Sequence, residues 1–383
     1  MKNGIKYILV NVYIFACRMV FGIKKDRVLF DSFGGKSYSD NTRAVSEALH
    51  KYNPNLEIVW RFKDPESKKR LIPEYIKTIS SKRTSAIKAF ATSGCIVTNC
   101  VFPNYIKSKK QFFIQLWHGD RSFKKILYDI DGFEKNHFCP ESTSGYCDLM
   151  ISGSEFCDKQ FRSAFRYPGE IITIGSPRDD VLVNGNPERA ECTRKALGID
   201  KNKKLLLYAP TFRDVNAEGE VQQKQEIDLE KTLDILEEKY GGEWVCLVRS
   251  HPVAGGIGGF AASERLLEVS KYEDMADLLL ISDMLITDYS SSATDFTLQN
   301  RPVIIFQPDL KDYTENSRNL CFNMEDTPYI VAHSQEELEE IILELTDEKI
   351  KENCKQLADF YGTVETGKSA EETAKRICEW LNK

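Results

Sequence analysis

Apolar positions along the chain gather into short runs separated by polar, helix-periodic stretches. Runs at residues 28–30, 56–61, 95–98, 111–117, 149–151 and 171–174, with a weaker one at 75–76, are short and mainly apolar and read as strands. Between them, residues 39–50, opened by the capping residues Ser39, Asp40 and Asn41, and residues 85–92 carry helical periodicity. The same alternation restarts at 205–208 and continues through strands at 244–248, 284–286 and 303–306, with helices at 229–240, 336–345, 349–360 and 370–381. Strands alternating with helices predict parallel sheets covered on both faces. Residues 123–148, which include Lys124, Lys125 and His137, are poorly periodic and read as loop and short helix; residues 255–259 read as a glycine loop.

A polar connection at 184–204, with a helical piece at 187–197, separates the two series. The expected organisation is a segment at 1–27, one α/β domain at 28–190 and a second at 191–383 that keeps all the C-terminal helices. Two such halves in succession predict an α/β fold of two Rossmann-like domains, the glycosyltransferase-B type. At 383 residues the chain is long enough for each half to bury its own core.

Charge changes the picture at the N-terminus. The net charge of −6 argues against a general nucleic-acid binder, yet Lys2, Lys6, Arg18, Lys24, Lys25 and Arg27 crowd the first 27 residues against Asp26 alone. The apolar stretch among them is interrupted by Asn11 and Arg18, and a spanning helix needs about 20 predominantly apolar residues. The pattern predicts an amphipathic helix lying on an anionic membrane surface, with the protein peripheral to the cytoplasmic face. Eleven scattered cysteines, an odd number without paired metal-ligand spacing, read as reduced thiols.

Candidate chemistry lies where strands end. Strand 244–248 stops at Arg249, Ser250, His251 and Pro252, and strand 284–286 runs into Thr287, Asp288, Tyr289, Ser290, Ser291 and Ser292 before a helical pattern. Ligands of open parallel sheets bind beyond the carboxyl ends of strands, and a hydroxyl-rich turn opening a helix offers N–H groups to an anion. One cationic end and one hydroxyl-rich end predict a phosphate site. Thr211 and Arg213 stand at a third exit, and His118 and Gly119 at a fourth, where an imidazole suits proton abstraction and a glycine permits close approach. Residues 362–369, Gly-Thr-Val-Glu-Thr-Gly-Lys-Ser, fit the written P-loop pattern, but a charged helical stretch rather than a strand precedes them, which argues against a nucleoside-triphosphate site. No Asp-x-Asp motif and no His/Cys/carboxylate cluster of metal spacing accompanies these residues, so neither metal nor cofactor is expected.

The motifs LWHGD (116–120), GSPRDD (175–180), YAPTFRD (208–214), RSHP (249–252), ITDYSS (286–291) and RPVIIFQPDLKDY (301–313) come in an order that resembles the CDP-glycerol glycerophosphotransferase family, the teichoic-acid primases and polymerases. The resemblance covers about residues 28–367. It implies transfer of an alcohol phosphate from CDP-glycerol or another CDP-polyol to a hydroxyl of a lipid-linked cell-envelope polymer, with release of CMP. His118 matches the family's Trp-His-Gly motif and is the expected general base, with His251 as second catalytic residue. Arg249, Ser290, Ser291, Thr211 and Arg213 are expected on the donor diphosphate. Asp288 is grouped with them as the residue that orients His251 or a hydroxyl. Where the family commonly continues Thr-Pro-Leu-Lys, this chain has Asp120, Arg121, Ser122, Phe123 and Lys124, and Gly119, Arg121 and Lys124 are expected at the acceptor. A nucleotide-sugar glycosyltransferase of capsule or wall polysaccharide synthesis and a non-catalytic glycopolymer binder are the alternatives.

Overall fold

The computed structural model describes residues 2–82, 84–103, 105–133, 147–211, 227–249, 263–310, 313 and 320–383. The chain forms two compact units, Met1–Asp120 with Ile126–Asp180 and Thr363–Lys383, and Arg121–Lys125 with Val181–Gly362. The division therefore falls at 180/181 rather than 190/191, and the last helix belongs with the first unit, not with the second as the sequence suggested.

The first unit is built on a seven-stranded parallel sheet ordered β3-β2-β1-β4-β5-β6-β7. Its strands are β1 (Lys24–Asp31), β2 (Glu57–Phe62), β3 (Lys77–Ser80), β4 (Ser93–Thr98), β5 (Phe112–Gln115), β6 (Leu149–Ser152) and β7 (Glu170–Thr173). The weak third strand forms just after the apolar pair at 75–76, because Ile76 is a buried anchor and the strand itself is only partly covered. Leu29, Phe30, Ile96, Ile114 and Met150 are fully buried from both faces of the sheet. Each such side chain contributes roughly 1.5–3 kcal/mol by leaving water. The order turns back at β1 and β4, and such a switch point is where a crevice opens at the carboxyl ends of the strands.

Helix Ser369–Leu381 packs Ala374, Ile377, Cys378 and Leu381 into this core and stacks Trp380 on Phe112, with ring centroids 5.1 Å apart. Asp180 accepts hydrogen bonds from its first amides, Ser369 N at 2.9 Å and Ala370 N at 2.8 Å. Burial of that carboxyl raises its pKa to about 6. The P-loop-like segment leading into the helix is a strap. Val364 N donates to Gly153 O (2.7 Å), Ser369 Oγ to Gly175 O (2.5 Å), and Glu365 accepts from Ser176 N (3.0 Å). Gly362, at φ 58°, terminates the preceding helix Asp347–Tyr361, so no strand delivers the segment to a phosphate.

The second unit has a six-stranded sheet ordered β10-β9-β8-β11-β12-β13. These are β8 (Lys204–Ala209), β9 (Trp244–Val248), β10 (Leu266–Glu268), β11 (Met284–Thr287), β12 (Val303–Phe306) and β13 (Val331–Ala332), all parallel. Here the order turns back at β8 and β11. Leu206, Cys246, Met284, Ile286 and Ile304 are fully buried against helices Leu229–Tyr240 and Gln335–Glu344.

The N-terminal helix Lys2–Phe21 packs a narrow stripe, Ile14 and Cys17, against the first unit. Ile5, Ile8, Leu9, Val12, Phe15, Met19, Val20 and Phe21 stay exposed. The helix is thus apolar round most of its circumference rather than divided into two faces. Arg18, counted in the sequence among the basic flank, turns inward and donates to Ala91 O, Ile106 O and Gln111 Oε1. Among the described residues no helix is long and apolar enough to cross a membrane. None of the ten described cysteines is in a disulfide.

Candidate active site

In the first unit the chain leaves β5 through Leu116 and Trp117, and Trp117 takes a left-handed backbone (φ 50°) that sets His118 beside the exit of β4. There His118 Nδ1 donates to the carbonyl of Asn99 at 2.5 Å. A donor at Nδ1 fixes the neutral tautomer and leaves Nε2 as the basic nitrogen. Among the described residues Nε2 has no hydrogen-bond partner. The ring lies 4.3 Å from the Trp117 ring and 5.1 Å from that of Phe33, centroid to centroid. Burial among them lowers the imidazole's pKa, and Arg178 works in the same direction, against the Asn99 bond and Asp40. The arrangement suits a group that must be unprotonated near neutral pH and take up a proton during the reaction.

The neighbouring residues divide in a way the sequence did not reveal. Gly119 is half-buried and is not among the glycines of positive φ, so its use here lies in its lack of a side chain. Asp120 is buried and fastens three strand exits together, accepting from Gly153 N (2.6 Å), Ser154 Oγ (2.9 Å) and Ser176 Oγ (3.1 Å). A Cβ at Gly153 would lie 2.4 Å from Asp120 Oδ2, so this clamp requires glycine there.

In the second unit Arg249 follows β9 directly and its amide donates to Tyr208 O at 2.8 Å. The side chain is half-buried, and its Nη1 is buried without a hydrogen-bond partner among the described residues. Burial lowers the guanidinium's pKa from its ordinary value, while Asp274, Asp277 and Glu273 oppose the shift. Those two aspartates also hold Arg189, Asp274 at 3.4 Å and Asp277 more closely. A buried cationic nitrogen with no acceptor is the group an anionic ligand would complete.

At the β11 exit, Ser291 is the N-cap of helix Ser292–Thr297, but its side chain makes no capping bond and no other hydrogen bond among the described residues. Ser290 Oγ accepts from Ser292 N (3.3 Å) and Ser292 Oγ (2.9 Å) and so supports the turn. Asp288 is buried, and its carboxylate faces backbone. It accepts from Thr211 N at 2.8 and 3.0 Å and from Tyr289 N at 2.5 Å, tying the β8 and β11 exits together across the switch point. The described bonds of this carboxylate thus go to the backbone of the two strand exits.

Arg121 also departs from expectation. It is 1% exposed and pairs with Asp295 at 3.2 Å inside the second unit, so it cannot reach an acceptor from there. Lys124 remains half-buried, its ammonium 5.7 Å from the Tyr313 ring centroid. His251 and Arg213, with residues 255–259 and His137, lie outside the described residues. Among the described residues no group of three potential metal ligands comes together. Sequence reading missed Asn99 and read Asp40 and Asn41 only as helix caps; Asp120 and Arg178 lay inside quoted motifs without a role.

A family model described as CDP-Glycerol:Poly(glycerophosphate) glycerophosphotransferase matches residues 12–379. The chain is 31% identical over 371 residues to the teichoic acid poly(glycerol phosphate) polymerase of Staphylococcus epidermidis, covering 91% of this chain and 50% of that protein. To the teichoic acid glycerol-phosphate transferase of Staphylococcus aureus it is 29% identical, covering 100% of both. The chain thus spans half the length of the first relative and the whole of the second. A solved structure of the wall teichoic acid polymerase TagF superposes with a TM-score of 0.82 at 28% identity, covering 99% of this chain and 96% of that one.

Proposed function

Because the chain belongs to the CDP-glycerol:poly(glycerophosphate) glycerophosphotransferase family, we propose that it transfers glycerol phosphate, or a related polyol phosphate, from a CDP-linked donor to a hydroxyl of a lipid-linked wall-polymer acceptor. His118 Nε2 takes the proton of the acceptor hydroxyl as its oxygen attacks the β-phosphorus. The bond from that phosphorus to the bridging oxygen breaks, and CMP leaves with the electron pair. Arg249 and Ser291 bear on the diphosphate, where a cation and a hydroxyl donor balance charge as it moves to the leaving phosphate. His251 and Arg213 are assigned to the same diphosphate on the motifs alone.

The observation that carries the reading is the His118 bond to Asn99, which leaves a basic nitrogen, unpartnered among the described residues, at a strand exit. The strand orders support a two-Rossmann, glycosyltransferase-B type of fold, with each unit turning back at its own switch point. The exposed apolar residues of helix Lys2–Phe21, with Lys6, Lys24 and Lys25 nearby in the chain, support contact with an anionic membrane at the cytoplasmic face. A donor screen that follows CMP release tests the function. CDP-glycerol or CDP-ribitol should yield CMP only with acceptor present, and turnover of UDP-sugars instead would favour glycosyl transfer.

A further inference from the structure

Left-handed backbone in a residue that bears a Cβ costs on the order of 1–3 kcal/mol and persists only where the surroundings over-determine it. Phe33 (φ 46°), Asp40 (φ 65°) and Trp117 (φ 50°) all have it, and all three surround His118. Asp40 and Asn41 open helix Asp40–Tyr52, yet their side chains face other elements. Asp40 Oδ1 accepts from Asn99 Nδ2 (2.9 Å), and its Oδ2 lies 3.2 Å from Arg178 Nη1. Asn41 Oδ1 accepts from Arg178 N (2.9 Å), while its Nδ2 donates to the carbonyls of Trp117 (3.0 Å) and Leu116 (3.3 Å). Asn99 Oδ1 accepts from Phe33 N (2.9 Å). The residue whose carbonyl holds the imidazole is therefore itself held at both ends of its side chain, and Asn99, Asn41 and Arg178 are all buried.

We propose that Asp40 and Arg178 are positioning residues for the base: their ion pair fixes Asn99 and joins the β4 and β7 exits, so that the Asn99 carbonyl keeps the Nδ1 proton and Nε2 stays directed at the acceptor hydroxyl. The proposal rests on the reading of His118 as base. Neither residue touches substrate; each acts through Asn99, Asn41 or the charge it presents to the ring. Among the described residues the charged groups that face the imidazole are Asp40, from the helix, and Arg178, from the turn after β7; the first favours the protonated ring and the second opposes it. Asp120 is engaged with Gly153, Ser154 and Ser176, and Asp179 lies 3.6 Å from Arg178 Nε. Two opposed charges leave the ring's proton affinity set mainly by burial, and removal of either one uncovers the other.

The test is a pair of variants that a merely structural role would not separate. Asp40→Asn keeps a residue type tolerant of left-handed backbone. It removes the charge that favours the protonated ring, and the acid limb of the kcat/KM profile should move to lower pH. Arg178→Gln leaves Asp40 uncompensated and should move that limb to higher pH, each shift being roughly 0.5–1 pH unit. Arg178→Lys, which keeps the charge and loses the geometry, should leave the limb near its wild-type position while kcat falls. The pKa of the His118 ring, followed by ¹⁵N–¹H spectroscopy and assigned against His118→Gln, should move in the same opposite directions without any turnover being measured. Ring pKa values and limbs that stay in place, or move together, in the Asp40 and Arg178 variants would overturn the proposal while His118→Ala is inactive. Wild-type turnover in His118→Ala would instead overturn the base reading on which it stands.

Discussion

Replacing Arg249 by Met should make the free protein no less stable while removing much of its hold on the donor. A fully buried donor without a partner costs about 1–3 kcal/mol of desolvation, and more when it is charged. The Arg249 side chain is half-buried and Asp274, Asp277 and Glu273 favour its charge, so the lower end applies. Met keeps the length and apolar stem, and should therefore recover up to about 1 kcal/mol, a rise of about 2–4 °C in Tm for a unit of this size. With donor bound the balance reverses. A charge-assisted hydrogen bond is worth about 1.5–3 kcal/mol, which at 1.4 kcal/mol per tenfold is a loss of about 10- to 150-fold in affinity for CDP-glycerol. Thermal unfolding with and without CDP-glycerol, with titration calorimetry for Kd, reads both effects on one protein. A variant several degrees less stable with unchanged donor affinity would refute the reasoning and make Arg249 a structural residue.

Other consequences can be measured on the same protein. Asp120→Ala strands Gly153 N, Ser154 Oγ and Ser176 Oγ, and should cost at least about 3 kcal/mol in denaturant unfolding with an unchanged slope. Lys368→Ala, in the P-loop-like strap, should leave the thermal shifts with CDP-glycerol and with ATP at wild-type values. Ile8→Glu with Phe15→Glu alters residues 60% and 65% exposed, so stability should hold while flotation with anionic liposomes is lost. Flotation that survives both changes would place any membrane contact elsewhere.

Much of the architecture was legible because strands buried on both faces print unbroken apolar runs: 95–98, 205–208 and 284–286 each lie within a strand. Strands β10 and β13 were not legible, since three and two residues leave no pattern. The return of helix Ser369–Leu381 to the first unit was hidden as well, because amphipathic periodicity says that a face is buried and not against what. The site shows the same division. His118 and Arg249 stand out as chemistry-bearing residues at strand ends, whereas Asp40 and Asn41 have the sequence of ordinary helix caps and differ from caps only in where their side chains point. Arg121 was expected at the acceptor because the resemblance keeps basic character in the loop after Trp-His-Gly. Its ion pair joins residues 174 positions apart, which no local pattern records.

The most direct measurement follows the phosphorus. CDP-glycerol labelled at the β-phosphorus, incubated with the protein and a lipid-linked acceptor, should place its label in the polymer with one CMP released per unit added. His118→Ala should slow that transfer by about 10²–10⁴ with donor affinity unchanged. Label that never enters the polymer, or a folded His118→Ala protein that transfers at the wild-type rate, would contradict the account.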